Sequence, residues 1–212
     1  MISQVMFDMD GTLIDSERLF LKANAQAATE LGVPRAPRDF LPLVGTAGAD
    51  GLAKMTALVG AAKVPAFAER SVALVMQWVQ AGVPIARPGA AALLQRLQTH
   101  GLRLVLVTSS DAAYTQTMLT AAGLRDYFAA IHTRDGAPEK PDPALYLRAV
   151  AAPGAAPAAA TVAVEDTVIG VQAARAAGLR ALQVVDLDAP APGATARVKN
   201  LAEAGDWLCD LA

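Results

Sequence analysis

Short apolar runs that stop abruptly at polar or acidic residues constrain this fold more than any other feature of the chain. Four are clear, Ser3 to Phe7, Leu102 to Val107, Thr161 to Val164 and Ala181 to Val185, and a weaker one lies near Ala129 to His132. Their Val, Leu, Ile and Ala content without polar alternation fits strands covered on both faces, as in a parallel sheet. Helical patterns with readable ends lie between them. Leu93, Leu94 and Leu97 form a stripe between Pro88, read as a first-turn proline, and Gly101, read as a stop. Asp142 followed by Pro143 starts another helix, and the pattern from Val168 to Ala177 ends at Gly178. The alternation predicts an α/β fold, a doubly wound parallel sheet.

The stretch from Asp15 to Gly82 breaks that rhythm, with helix after helix and no convincing strand. Leu19, Phe20, Ala23, Ala27 and Leu31 make one stripe, closed by Gly32 and Pro34, and further helical patches run through Leu52 to Leu58 and Phe67 to Val79. The expected organisation is therefore an α/β core from residues 1–14 and 83–212, with residues 15–82 inserted as a small helical domain. Hinges are expected near Asp15 and near Val83 to Pro88. Ala151 to Ala160 and Ala189 to Ala196 read as Ala/Pro/Gly-rich connections without a binding role.

Composition removes several function classes. A formal charge of −2 with no block of like charges gives nucleic-acid binding no electrostatic support. One cysteine, Cys209, and two separated histidines, His100 and His132, make neither a disulfide nor a Cys/His zinc site, and reducing cytoplasm is the expected location. Residues Met1 to Val5 have no basic lead, and Asp8 and Asp10 interrupt the apolar run, so the N-terminus reads as mature protein. The uncharged stretches Ser71 to Ala86 and Ala149 to Val164 are too short to span a bilayer and contain Pro and Gly, so no membrane partner is expected. No feature fixes an oligomeric state.

Four polar clusters fall at or just beyond strand ends: Asp8-Met9-Asp10-Gly11-Thr12, Thr108-Ser109-Ser110, Lys140-Pro141-Asp142-Pro143 and Glu165-Asp166. In an open parallel sheet the carboxyl ends of neighbouring strands converge on one crevice, so these clusters can meet. Asp8 and Asp10 can both face that crevice while Gly11 turns the chain out of the sheet. One carboxylate can attack a phosphate while the other moves protons. A phosphate dianion repels a carboxylate nucleophile, so the site needs a hard cation such as Mg²⁺ and a lysine, and Asp166 and Lys140 supply those parts. Crowded acids raise at least one pKa, the expected means of keeping Asp10 protonated as the acid. Thr108 offers a hydroxyl, and Ser109 a backbone N–H near a helix start, to phosphate oxygens.

With these motifs in order over residues 5 to 170, the sequence resembles the haloacid dehalogenase superfamily, in its subgroup with a small helical cap. The residues that carry the likeness are Phe7 to Glu17, Val107-Thr108-Ser109-Ser110, Lys140-Pro141-Asp142-Pro143 and Val164 to Gly170. The resemblance implies that Asp8 is a nucleophile forming an aspartyl-phosphate and Asp10 the general acid/base. It implies that Asp8, the backbone carbonyl of Asp10 and Asp166 hold Mg²⁺, with Glu165 beside them directly or through water. It assigns Thr108 and Lys140 to the phosphoryl group and makes residues 15–82 the cap.

Each cluster alone has a plainer explanation: a surface turn for Asp8-Met9-Asp10-Gly11, a solvated loop lysine for Lys140, a helix cap for Glu165-Asp166. Their joint spacing favours the site. A calcium loop starting at Asp8 fails, because Leu13 and Leu19 stand where its glycine and glutamate belong. Gly45 to Gly51 follows no strand and lacks the Lys-Ser/Thr of a phosphate loop. The expected activity is hydrolysis of a small phosphorylated metabolite, of the sugar-phosphate kind, with a β-phosphoglucomutase type of transfer as the alternative. The likeness to the mutases is weakened at two positions, where Phe20 and Gly48 replace the histidine and arginine of their pattern. A dehalogenase is disfavoured by Asp10, and a non-catalytic phosphate binder by the presence of every catalytic part.

Overall fold

The computed structural model describes residues 1–212 and contains a six-stranded, all-parallel sheet. In chain order the core elements are β1 (Gln4–Phe7), α4 (Ala90–Thr99), β2 (Arg103–Val107), α5 (Ala112–Ala122), β3 (Ala130–His132), α6 (Ala144–Val150), β4 (Thr161–Glu165), α7 (Val168–Ala176), β5 (Arg180–Val184), β6 (Ala196–Val198) and α8 (Leu201–Cys209). The inserted helices are α1 (Ser16–Glu30), α2 (Gly48–Val59) and α3 (Val64–Gln80). The strand order is β3-β2-β1-β4-β5-β6, so β1 lies between β2 and β4 and the order reverses beside it. This is the arrangement that the alternation of apolar runs predicts, and its crevice lies at the carboxyl ends of β1, β2 and β4.

Side-chain alternation explains why the strands are apolar throughout. Met6, Val105, Val107 and Ala163 pack in one cluster with Leu145 and Tyr146 of α6 and Val171 and Ala174 of α7. Their neighbours Val5, Phe7, Leu104, Leu106, Val162 and Val164 point the other way and are equally buried. Helices α4 and α8 touch β2 and β5, with Leu93, Leu94, Leu97, Leu201 and Leu208 buried. Buried Val, Leu or Phe side chains each contribute about 1.5–3 kcal/mol relative to exposure, which makes this two-sided burial the main support of the sheet.

Three local features differ from the sequence reading. β6 falls at the end of a stretch read as a structureless connection; Ala196 to Val198 pair with Leu182 to Val184, a run too short to show a period. Pro88 precedes the N-cap Gly89, whose φ of 84° suits glycine, so α4 begins two residues later than a first-turn proline would place it. Helix α5 is capped by Asp111 through a 2.9 Å bond from the Tyr114 N–H, which leaves Ser109 outside the helix and its N–H outside the first turn.

Residue contacts divide the chain into Met1–Ile14 with Ala86–Ala212, and Asp15–Ile85. The second unit extends three residues beyond the boundary expected at Gly82, because the Asp15 N–H donates to the Ile85 carbonyl at 2.8 Å and Ile85 is buried. Within it α1 packs on α3, Phe40 stacks on Phe67 with ring centroids 5.6 Å apart, and Arg70 pairs with Glu30 at 2.6 Å. The Arg70 guanidinium and the Gln26 amide hold the exposed Glu30 carboxyl down at about 2. No helix is long and apolar enough to cross a membrane.

Candidate active site

Asp8 stands one residue past β1, and its N–H still donates to the Val164 carbonyl of β4 at 3.0 Å, which fixes the first carboxyl group at the carboxyl end of the sheet. The chain then closes a tight loop, with the N–H groups of Leu13 and Ile14 both donating to the Met9 carbonyl at 2.9 and 3.0 Å. Gly11 turns it at φ 75°, and a Cβ there would lie 2.1 Å from Asp166 Oδ2. Only glycine lets this backbone approach the carboxylate of β4's loop so closely. Arg87 donates to the Gly11 carbonyl and pairs with Asp186 at 3.3 Å, bracing the loop from outside.

β4 ends in Glu165, and Asp166 follows. The Thr12 hydroxyl donates to Asp166 Oδ1 at 3.0 Å, while the buried Gln183 amide donates to the Asp166 backbone carbonyl at 2.9 Å. Behind Glu165 lies Gly170 of α7, where a Cβ would sit 1.9 Å from Glu165 Oε2. Two glycines thus leave room for two acids.

Lys140 reaches this cluster from the loop before α6. Its Nζ lies 2.5 Å from Asp8 Oδ1, 2.7 Å from Glu165 Oε1 and 2.9 Å from the Val107 carbonyl, and 5.2 Å from the Tyr146 ring centroid. The Tyr146 hydroxyl donates to the same Glu165 oxygen. Burial pushes the Asp8 carboxyl up to about 8 against the pull of Lys140, with Glu165 and Asp10 adding to the rise. Burial alone would lower the Lys140 ammonium, but Asp8 and Glu165 outweigh it and hold the group above its ordinary value. Tyr146 is likewise held well above its ordinary value by burial beside Glu165 and Asp8.

Oxygen atoms of Asp8, Glu165 and Asp166 lie within 4.8 Å of one another, all three residues buried. Three carboxyl groups gather beside one ammonium, so a hard divalent cation would let all three ionise, and an all-oxygen donor set suits Mg²⁺. The residues present therefore fit the metal. The acid held above its ordinary value is Asp8, chiefly through burial, with the neighbouring acids adding to the rise.

The β2 end supplies the remaining groups. The Thr108 N–H donates to the His132 carbonyl at 3.0 Å, and its Oγ1 accepts from the Ser110 N–H at 3.1 Å. Ser109 Oγ accepts from the Lys140 N–H at 3.3 Å, linking that loop to Lys140's. Asp10 is half-buried, and both its oxygens are engaged, Oδ2 by the Ser110 hydroxyl at 2.8 Å and Oδ1 by the Tyr114 hydroxyl at 3.1 Å. The structure thus gathers Asp8, Asp10, Thr108, Ser109, Lys140, Glu165 and Asp166 at one end of the sheet. His100 caps the far end of α4, and His132 sits on β3 with its imidazole pKa lowered by burial and by Arg148 and Arg103.

Tyr114, Tyr146, Thr12, Gln183 and Arg87 are partners of these groups that the sequence reading does not assign. A usable signal exists for Tyr114: Asp111 read as an N-cap fixes the first turn of α5 and puts Tyr114 on it.

Comparison with known proteins matches the arrangement. The family model of the haloacid dehalogenase-like hydrolases matches residues 5–184. A protein encoded in the fgs 3' region of Lacticaseibacillus casei is 38% identical over 211 residues, covering 98% of this chain and 97% of that one. Hexitol phosphatase B of Escherichia coli strain K12 is 32% identical over 197 residues, 91% of this chain and 86% of its own length. Among solved structures, CbbY from Rhodobacter sphaeroides in complex with phosphate superposes with a TM-score of 0.73 at 30% identity, over 97% of this chain and 99% of that one. From the family model spanning residues 5–184 and these relatives, the chain belongs to the haloacid dehalogenase-like hydrolases.

Proposed function

We propose that the protein is a Mg²⁺-dependent phosphatase that hydrolyses a small phosphorylated metabolite of the sugar-phosphate class through an aspartyl-phosphate on Asp8. The observation that carries this reading is the buried ion cluster in which Lys140 contacts both Asp8 and Glu165, with Asp166 beside them. It unites a nucleophile, a fixed positive charge and a cation-binding set. Asp8, the Asp10 backbone carbonyl and Asp166, with Glu165, would hold Mg²⁺. When bound, the metal would neutralise phosphate charge and keep Asp8 ionised.

In the first step an Asp8 oxygen bonds to phosphorus as the ester oxygen departs with a proton from Asp10. In the second, Asp10 takes a proton from water as the water oxygen attacks the same phosphorus, releasing phosphate and the Asp8 carboxylate. Lys140, the Thr108 hydroxyl and the Ser109 side of the loop would hold phosphoryl oxygens through charge-assisted bonds. The helical unit Asp15–Ile85 is assigned the role of a cap that sets access and specificity. The sugar-phosphate class is supported by the relatives: one is a hexitol phosphatase, and a mutant of the Rhodobacter sphaeroides CbbY binds xylulose-(1,5)bisphosphate.

The test is a screen of phosphorylated metabolites for phosphate release, with Mg²⁺ and again with EDTA. Release from at least one sugar phosphate, lost with EDTA, is expected; activity indifferent to EDTA overturns the metal assignment. Incubating β-glucose 1-phosphate with a trace of the bisphosphate separates the alternative, since isomerisation with little phosphate release would make the chain a mutase. Asp10→Asn is expected to keep the fold and lose about 10²- to 10⁴-fold in kcat, the usual contribution of one acid/base group. Undiminished rates across the pH range would move that role elsewhere.

Metal binding has a thermal signature whose sign follows from Asp8. Its carboxyl rises from 3.8 to about 8 on folding, so between those values the native state holds a proton that the unfolded chain has released. Stability in EDTA is therefore expected to fall as pH rises from about 4 to about 8. Mg²⁺ at a hundred times its Kd should add about 2.7 kcal/mol. Thermal melts at several pH values, with EDTA and with Mg²⁺, measure both effects. A melting temperature unmoved by Mg²⁺ at pH 8 would contradict the site.

A further inference from the structure

We propose that Tyr114, together with Ser110, is a positioning residue that clamps the Asp10 carboxylate in its working orientation. The proposal rests on the reading of Asp10 as the acid/base and adds the device that aims it. Asp10 immediately precedes the turning glycine, Gly11, and has a rotatable side chain, so its own backbone leaves open where its oxygens point. The fixing comes from α5. Asp111 caps that helix by accepting from the Tyr114 N–H at 2.9 Å, which sets the first turn and directs the Tyr114 ring. The Tyr114 hydroxyl then donates to Asp10 Oδ1 at 3.1 Å, while the Ser110 hydroxyl donates to Oδ2 at 2.8 Å.

Ser110 is in turn held by its own backbone. Its N–H donates to Thr108 Oγ1 at 3.1 Å, so the residue gripping Asp10 is locked to the loop read as the phosphate grip. Two neutral donors from different places, one on the β2 loop and one on α5, meet the two oxygens of one carboxylate. Two-point attachment removes rotation about χ2, which a single bond would leave free. Each carboxylate oxygen retains a second lone pair, so the clamp leaves Asp10 able to carry the transferred proton.

A group that acts by aiming the acid should matter in proportion to the need for that acid. The ratio kcat/KM reports steps up to and including departure of the alcohol, which needs a proton when the leaving oxygen is an alkoxide and little help when it is p-nitrophenolate. Tyr114→Phe conserves ring volume and removes one hydrogen bond to a charged group, so kcat/KM for an alkyl phosphate should fall about tenfold. For p-nitrophenyl phosphate it should change less than about twofold. Ser110→Ala should show the same selectivity.

The deciding arm places Tyr114→Phe in an Asp10→Asn background, where no further loss is expected because the clamp has no acid left to aim. An equal loss on both substrates, no loss on either, or a full additional loss on top of Asp10→Asn would overturn the proposal. Failure of the underlying reading looks different: Asp10→Asn alone would then affect neither substrate, or both alike. A thermal melt of each variant separates either result from unfolding.

Discussion

Asp8→Asn is expected to bring phosphate release below detection while leaving the fold intact. The amide oxygen cannot form the acyl bond to phosphorus, and it offers a cation no net charge. The fold should survive because the amide oxygen can still accept from Lys140 Nζ, which lies 2.5 Å from Asp8 Oδ1, and because Glu165 keeps the ammonium paired at 2.7 Å. The check is phosphate release by the purified variant in Mg²⁺, with near-ultraviolet circular dichroism for packing. Wild-type turnover in protein free of deamidated material would end the aspartyl-phosphate reading.

Lys140→Met should strike both activity and stability. The lysine supplies the ammonium among Asp8, Glu165 and Asp166, all buried, and removing one partner from a buried ionic cluster typically costs about 3–5 kcal/mol. At roughly 2–4 °C per kcal/mol for a chain of this size, the melting temperature should drop by about 6–20 °C. The unpaired carboxyls will take up protons in the native state, so the deficit should widen as pH rises. Mg²⁺ should recover part of it by supplying the missing charge. A variant that melts within a degree or two of wild type at pH 8 in EDTA would mean that Lys140 does not balance this cluster.

The sheet was legible because two-sided burial leaves a compositional trace: Val5 to Phe7, Leu104 to Val107 and Val162 to Val164 are apolar without alternation. The acids were legible because each interrupts such a run at its end, which apolar packing alone does not explain. What stayed hidden depends on side-chain direction. Tyr146 lies in an apolar stripe with Leu145 and Ala149, and its hydroxyl finds Glu165 only because α6 packs against β2, β3 and α7 at one rotation. Gln183 reads as a polar fault in β5, yet it is fully buried and ties Asp166 to the loop at Ala189 and Ala191. Strand β6 escaped because three residues at a sheet edge need only half a burial pattern.

The central place of β1 has a consequence for synthesis. Both edges of that strand are covered only by later segments, β2 from Arg103 and β4 from Thr161. A ribosome adding about 5–20 residues per second needs roughly 10–30 s to go from the end of β1 to the end of β4. Through that interval Val5, Met6 and Phe7 have no native partners on at least one side, so the nascent β1 segment is a place for a chaperone to engage this chain. A stalled or truncated product ending before Thr161 would expose the same segment permanently, with Asp8 present but no acid opposite it.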